Sequence, residues 1–177
     1  MKFPKGKHVH IFDFDETLCR SNGVVEITDK RFDRTFRLTA TEYSDWREKK
    51  EYESFPGRFD MDFSDFTGYP LNGVAIKGTV TLLKILLLSS EDPCVLVTGR
   101  DELSGPRAWL LNNEIDVDKM ILMCSGNPNK RMAYESVINT LQPLEITVYE
   151  DSLPAIKQCE GVCKKYGVRF HSRLIVP

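Results

Sequence analysis

Four short stretches place ionisable and hydroxyl side chains directly after apolar runs. In HVHIFDFDETLC (8–19), two acids one residue apart, Asp13 and Asp15, end the run, with Thr17 two further on. CVLVTGR (94–100) ends in Thr98, Gly99 and Arg100. KMILMC (119–124) is followed by SGNPNKR, where Lys130 and Arg131 open a helical pattern. EITVYED (145–151) ends in Glu150 and Asp151, followed by Ser152. Carboxylates at the end of a core strand are costly unless something binds them. Several close together repel one another, and they persist when a hard cation sits among them. Magnesium (Mg2+) suits such a set, because it takes oxygen ligands, keeps waters and shares its other positions with a phosphate. A hydroxyl and an ammonium facing the ion would complete a phosphate cradle. A carboxylate held there can attack phosphorus and form an aspartyl-phosphate.

The elements that must position these groups are legible as a pattern. Near-continuous apolar strands are expected at 9–14, 94–99, 119–124, 145–150 and 168–176, with helices at about 78–89, 103–113, 129–141 and 153–166. Alternating strands and helices imply βαβ units and a central parallel sheet, buried on both faces. Ligands of such sheets bind beyond the carboxyl ends of the strands, where all four stretches terminate. One region breaks the rhythm. From about 19 to 76 the chain is polar and aromatic, and it reads as an insertion after the first strand. Within it, strands are expected at about 24–28 and 34–39, and a helix at about 40–50, with Thr39 and Glu42 at capping-box spacing. YESFPGRFDMDFSDFTGYPLNG (52–73) reads as loop, pinned by its aromatic residues. Phe32, Phe36, Tyr43, Trp46, Phe55 and Phe59 are expected mostly to pack; a stacking role beside Arg31, Arg34, Arg37 and Arg47 is the alternative.

The 177 residues fit one domain, 1–177, carrying that insertion. With 41% hydrophobic and 28% charged residues the composition is that of a soluble globular chain. A formal charge of −2 excludes a large nucleic-acid footprint but leaves room for a local basic patch. No apolar segment follows the basic start as a signal peptide would require, and LLKILLL (82–88) is too short to span a bilayer. Five cysteines without framework spacing read as reduced thiols. A cytoplasmic location is expected, with no membrane partner; Cys159 and Cys163 read as core-facing. His8, His10 and His171 belong to no motif, and satisfied structural roles are expected for them.

Taken together, DFDET, VLVTGR, NKR and YEDSLP resemble the four ordered motifs of the haloacid dehalogenase (HAD) superfamily of phosphohydrolases. The likeness spans about residues 8–158. It implies a HAD-like, Rossmannoid three-layer sandwich in which the insertion is a small cap. It implies a Mg2+-dependent phosphomonoesterase with Asp13 as nucleophile and metal ligand. Asp15 would be general acid and then general base, its backbone carbonyl also binding the metal. Thr98 would hydrogen-bond the phosphoryl group, and Lys130 would neutralise charge between it and Asp13. Asp151 would bind the metal, with Glu150 beside it. Thr17, Gly99 and Arg100 are the candidate substrate-binding residues. Arg131 is the alternative to Lys130, though a compact ammonium suits a tight site better than a planar fork. The string is also similar to phosphatase modules of nucleic-acid end-repair enzymes and to small HAD proteins of phages and viruses. That favours a nucleotide or a nucleic-acid terminal phosphate as substrate, and the host cytoplasm as location if the source is viral. The rivals are a phosphatase of a non-nucleotide small molecule or protein, a phosphoacceptor switch, and a non-catalytic metal- and phosphate-binding module. The switch is disfavoured because the third strand ends in Met123 and Cys124, with no acid to phosphorylate.

Overall fold

The computed structural model describes residues 7–48, 57–70 and 72–176. In chain order the strands and α-helices are β1 (His8–Phe12), β2 (Cys19–Arg20), β3 (Val24–Asp29), β4 (Arg34–Thr39), α1 (Ala40–Glu48), β5 (Phe59–Asp62), β6 (Val74–Ala75), α2 (Lys77–Ser89), β7 (Cys94–Thr98), α3 (Ser104–Asn112), β8 (Met120–Cys124), α4 (Arg131–Leu141), β9 (Glu145–Glu150), α5 (Leu153–Tyr166) and β10 (Arg169–Leu174). Five of the strands form one sheet in the order β10-β9-β1-β7-β8, every neighbouring pair parallel. The chain is therefore α/β, with a Rossmann-like parallel sheet flanked by helices.

Side-chain alternation divides β1 between two cores. Val9 and Ile11 join Val95, Val97, Ile146 and Val148 against α4 and α5. Phe12 joins Cys94, Leu96 and Trp109 against α2 and α3. Helix α4 buries Ala133, Tyr134, Val137, Ile138 and Leu141, and α5 buries Ala155, Ile156, Cys159, Val162 and Cys163. Both sets recur at three- and four-residue spacing, the stripe an amphipathic helix turns inward. The Ser152 hydroxyl caps α5 by accepting from the Ala155 amide at 3.4 Å, and Gly167 ends it at φ 69. All five cysteines are free, and Cys159 and Cys163 are buried as expected. Among the described residues, no helix is long and apolar enough to cross a membrane.

The insertion carries more structure than its punctuation suggests. β3 pairs antiparallel with β4 on one side and with β5 on the other. The segment expected to be loop thus contains a strand at Phe59–Asp62, and a short 3-10 turn follows at Ser64–Phe66. FDMD alternates apolar and acidic residues, a two-residue period too short to outweigh the nearby Pro and Gly until β3 supplies a partner. Thr39 and Glu42 form the expected capping box: the Glu42 amide donates to the Thr39 hydroxyl at 3.3 Å, and the Thr39 amide donates to the Glu42 carboxylate at 2.9 Å. Phe36, Tyr43, Trp46 and Phe59 pack on one another around Val25 and Ile27, whereas Phe32 is 57% exposed. Phe55 and the final two positions of the helix expected at 40–50 lie outside the described residues.

Close packing joins the insertion to the sheet layer. The Trp109 indole donates to the Gly73 carbonyl at 3.3 Å and meets Phe14 edge-on at 5.4 Å. A Cβ built on Gly105, in the first turn of α3, would lie 1.6 Å from the Gly68 carbonyl oxygen. Only glycine allows that approach. Gly105→Ala is expected to push the 67–69 loop off α3, costing about 1–3 kcal/mol as an overpacked site. Thermal unfolding checks this: a Tm equal to that of the parent would contradict it.

Candidate active site

Parallel neighbours end side by side, so pairing β1 with β9 brings Asp13 next to Glu150 and Asp151. The Asp13 amide donates to the Tyr149 carbonyl at 3.0 Å, which fixes the register at the mouth of the sheet. The chain runs from β1 to β7 and β8 on one side, then crosses to β9 and β10 on the other. A crevice opens where such an order reverses.

Lys130 lies at the centre of that crevice. It precedes α4, and its amide donates to the Gln158 side chain of α5 at 2.9 Å. Its ammonium reaches under the strand ends, donating to Asp13 Oδ1 at 2.5 Å and to Glu150 Oε2 at 2.8 Å. All three residues are buried. Burial opposes the charge on Lys130, but Asp13 and Glu150 outweigh it and hold its pKa well above the ordinary lysine value. Burial raises Asp13 to about 6; Lys130 works against this shift, and Asp151 and Asp15 add to it. Burial and the charge of Asp13 push Glu150 well above the usual carboxylate range. One ammonium is thus shared among acids that outnumber it.

Asp151 is half-buried and completes the acid cluster. One oxygen of each of Asp13, Glu150 and Asp151 lies within 4.8 Å of the others. These are hard donors, and modest side-chain adjustment would bring them to the roughly 2.0–2.1 Å bonds of magnesium. The residues therefore fit that ion. Glu150 is the most committed to the protein itself, since its second oxygen accepts from the Ser152 amide at 3.3 Å.

Asp15 is held apart from this cluster by Arg100. Nε and Nη2 of the guanidinium donate to its two oxygens at 2.9 and 2.7 Å, and the Ser21 hydroxyl adds a contact at 3.3 Å. Nη1 of Arg100 donates to the Phe66 and Gly68 carbonyls, both at 3.0 Å. The guanidinium also lies 5.1 Å from the centre of the Phe14 ring. Arg100 is therefore a buried clamp joining Asp15 to the insertion. Thr98 is fully buried; its hydroxyl accepts from the Arg100 amide at 3.3 Å, and its carbonyl accepts from the Ser125 amide at 2.9 Å. A Cβ at Gly99 would sit 3.5 Å from the Asn127 carbonyl oxygen, an ordinary contact, so packing does not demand glycine there. Thr17 is buried at the loop base, its hydroxyl 3.5 Å from Asp151. Arg131 is exposed, and Lys130 occupies the position for which both were candidates.

Two polar residues at the site escaped the sequence reading. Thr41, in the first turn of α1, donates to Asp151 Oδ2 at 3.0 Å, so the insertion reaches over the acids. Ser21 touches Asp15. Neither has a sequence signal of its own, since a threonine in a helix start and a serine after a short strand are ordinary. No family model, curated protein or solved structure matches the chain.

Replacing Lys130 by Met would leave Asp13 and Glu150 buried without a cation. Removing one partner of a buried ion pair costs about 3–5 kcal/mol. The expected result is a lower Tm in chelator for Lys130→Met, with magnesium restoring part of the loss. A variant as stable as the parent in chelator would show that the ammonium does not hold the acids.

Proposed function

We propose that the chain is a magnesium-dependent phosphomonoester hydrolase of the haloacid dehalogenase type, working through an aspartyl-phosphate on Asp13. The observation that carries the reading is the shared position of Lys130: its ammonium touches Asp13 while Asp151 stands within reach of both acids. Asp13, Asp151 and the Asp15 backbone carbonyl would hold magnesium, with Glu150 beside them, and the ion would supply charge neutralisation at the phosphoryl oxygens.

In the first half-reaction the Asp13 carboxylate attacks phosphorus and the ester P–O bond breaks. The leaving oxygen takes a proton from Asp15. In the second, Asp15 takes a proton from water, whose oxygen attacks phosphorus. The acyl-phosphate bond breaks, freeing Asp13 and inorganic phosphate. Arg100 orients Asp15 for both proton transfers. The Thr98 hydroxyl accepts from the Arg100 amide, which leaves its own proton to donate to a phosphoryl oxygen. Lys130 offsets the negative charge between Asp13 and the phosphoryl group. The insertion acts as a small cap; what supports this is its contact with Asp151 through Thr41 and with Arg100 through Phe66 and Gly68.

The substrate class we favour is a nucleotide or a nucleic-acid terminal phosphate, on the likeness of the motif string to end-repair phosphatases. Phosphate release should be measured with magnesium from nucleoside 3′- and 5′-monophosphates and from 3′- and 5′-phosphorylated oligonucleotides. Release that is abolished by chelator and by Asp13→Asn is expected, with Asp13→Asn retaining the parental circular dichroism. Oligonucleotide turnover would select nucleic-acid ends, and turnover of monophosphates alone would select free nucleotides. No release from this panel or from an aryl phosphate, with magnesium bound, would overturn the hydrolase reading.

A further inference from the structure

The two ends of the sheet differ in kind. Helices α2 and α3 cover Phe12, Cys94 and Leu96, and Tyr149 and Thr147 of β9 are still buried beside them, but over β10 that same face is bare at His171 and Arg173. Parallel sheets ordinarily bury both faces. Here the bare part forms a cleft of about 410 Å³, whose lining includes His8, His10, Glu145, Thr147, Tyr149 and His171. All three histidines of the chain stand along it, although they come from strands at opposite ends of the sequence.

The histidines are arranged as ligands rather than scattered. His8 and His10 are two residues apart on β1, so they share a face, with ring centres 4.3 Å apart. One ring nitrogen from each and one Asp92 carboxylate oxygen lie within 4.8 Å of one another. Asp92 comes from the loop before β7, beside the point where the His10 amide donates to the Pro93 carbonyl at 2.9 Å. The rings are also buttressed on the far side. His8 Nε2 meets the Thr147 hydroxyl at 2.8 Å, and His10 Nδ1 meets the Tyr149 hydroxyl at 3.2 Å. Each ring thus has one nitrogen engaged by a hydroxyl and a second to offer a cation. The Glu145 carboxylate stands between His8 and His171, at 3.9 and 3.1 Å. A metal-bound imidazole typically gives its second nitrogen to such a hydroxyl or carboxylate, which fixes its tautomer.

We infer that His8, His10 and Asp92 form a second metal site, for a borderline divalent ion of the zinc class, at the end of the sheet opposite the acid cluster. Two imidazoles and a carboxylate select zinc over magnesium, which prefers oxygen donors. Tetrahedral bonds of 2.0–2.2 Å set ligand atoms about 3.4 Å apart, so side-chain closure of about an ångström completes the site. His8 precedes Asp13 by five residues of extended chain, about 16 Å, so the two sites are separate. The ion would staple the start of β1 to the turn before β7. The inference is independent of the proposed hydrolase activity.

The test is a zinc and cobalt titration of the full chain with magnesium saturating, followed by absorption spectroscopy and thermal unfolding. One zinc per chain is expected, raising the Tm. Cobalt should give tetrahedral d–d bands without the ultraviolet band of thiolate ligation, which separates this site from the cysteines. Thr147→Val, which removes the hydroxyl on His8 Nε2, should weaken binding by roughly ten- to a hundredfold, and His8→Gln and Asp92→Asn by more. Circular dichroism and magnesium affinity should stay unchanged in all three. Failure of the parent protein to bind zinc under magnesium would overturn the site. So would zinc held equally well by the folded His8→Gln and Asp92→Asn variants.

Discussion

The Lys130 ammonium is the contact on which the strand ends depend. A parallel sheet collects the ends of its strands at one edge, and here β9 ends in Glu150 while Asp13 directly follows β1. Removed from water, Asp13 and Glu150 would drive those ends apart. Lys130 reaches them from α4, and its own backbone is fixed to α5 through Gln158. One residue therefore joins two central strands and the two helices that cover one face. The compensation is deliberately incomplete in charge, since Asp151 has no share in it. That surplus is what the proposed magnesium ion would offset.

A second cationic contact, this one a guanidinium, ties the insertion to the same edge. Arg100 pairs with Asp15 while donating to two loop carbonyls, so the position of the Asp15 carboxylate depends on a segment outside the sheet. Thr41 makes the corresponding link to Asp151. Gly105 allows the loop to lie close enough for Arg100 to reach it. The insertion is thus positioned by polar groups at the crevice and by aromatic packing within itself.

The sheet was legible because its signals are long and repeated. β7 is five buried residues in a row, and the inward stripes of α4 and α5 hold over the whole length of each helix. Such patterns survive whatever the rest of the chain does. β5 was hidden because four residues with Gly and Pro nearby become a strand only when β3 offers its edge. The site residues Asp13, Asp15, Thr98, Lys130, Glu150 and Asp151 could be named because each sits at a strand or helix end, where position follows from topology. Their partners could not. That Arg100 faces Asp15, or that the three histidines share a cleft, depends on side-chain directions across strands far apart in sequence.

The register of β1 has a consequence for how the molecule is made. His8 pairs with Glu145, so β1 waits for a strand far downstream before its central position in the sheet is filled on both sides. Contacts of such long separation close slowly, because the loop entropy is spent before the pairing rewards it. During synthesis β1 can meet β7 early, but Asp13 gains Lys130 and Glu150 only when the final third of the chain has emerged. The acid edge is therefore a late product of folding. A chain stopped before β9 keeps Asp13, Asp15, Arg100 and Lys130 but lacks Glu150 and Asp151, so the acid cluster is left half built.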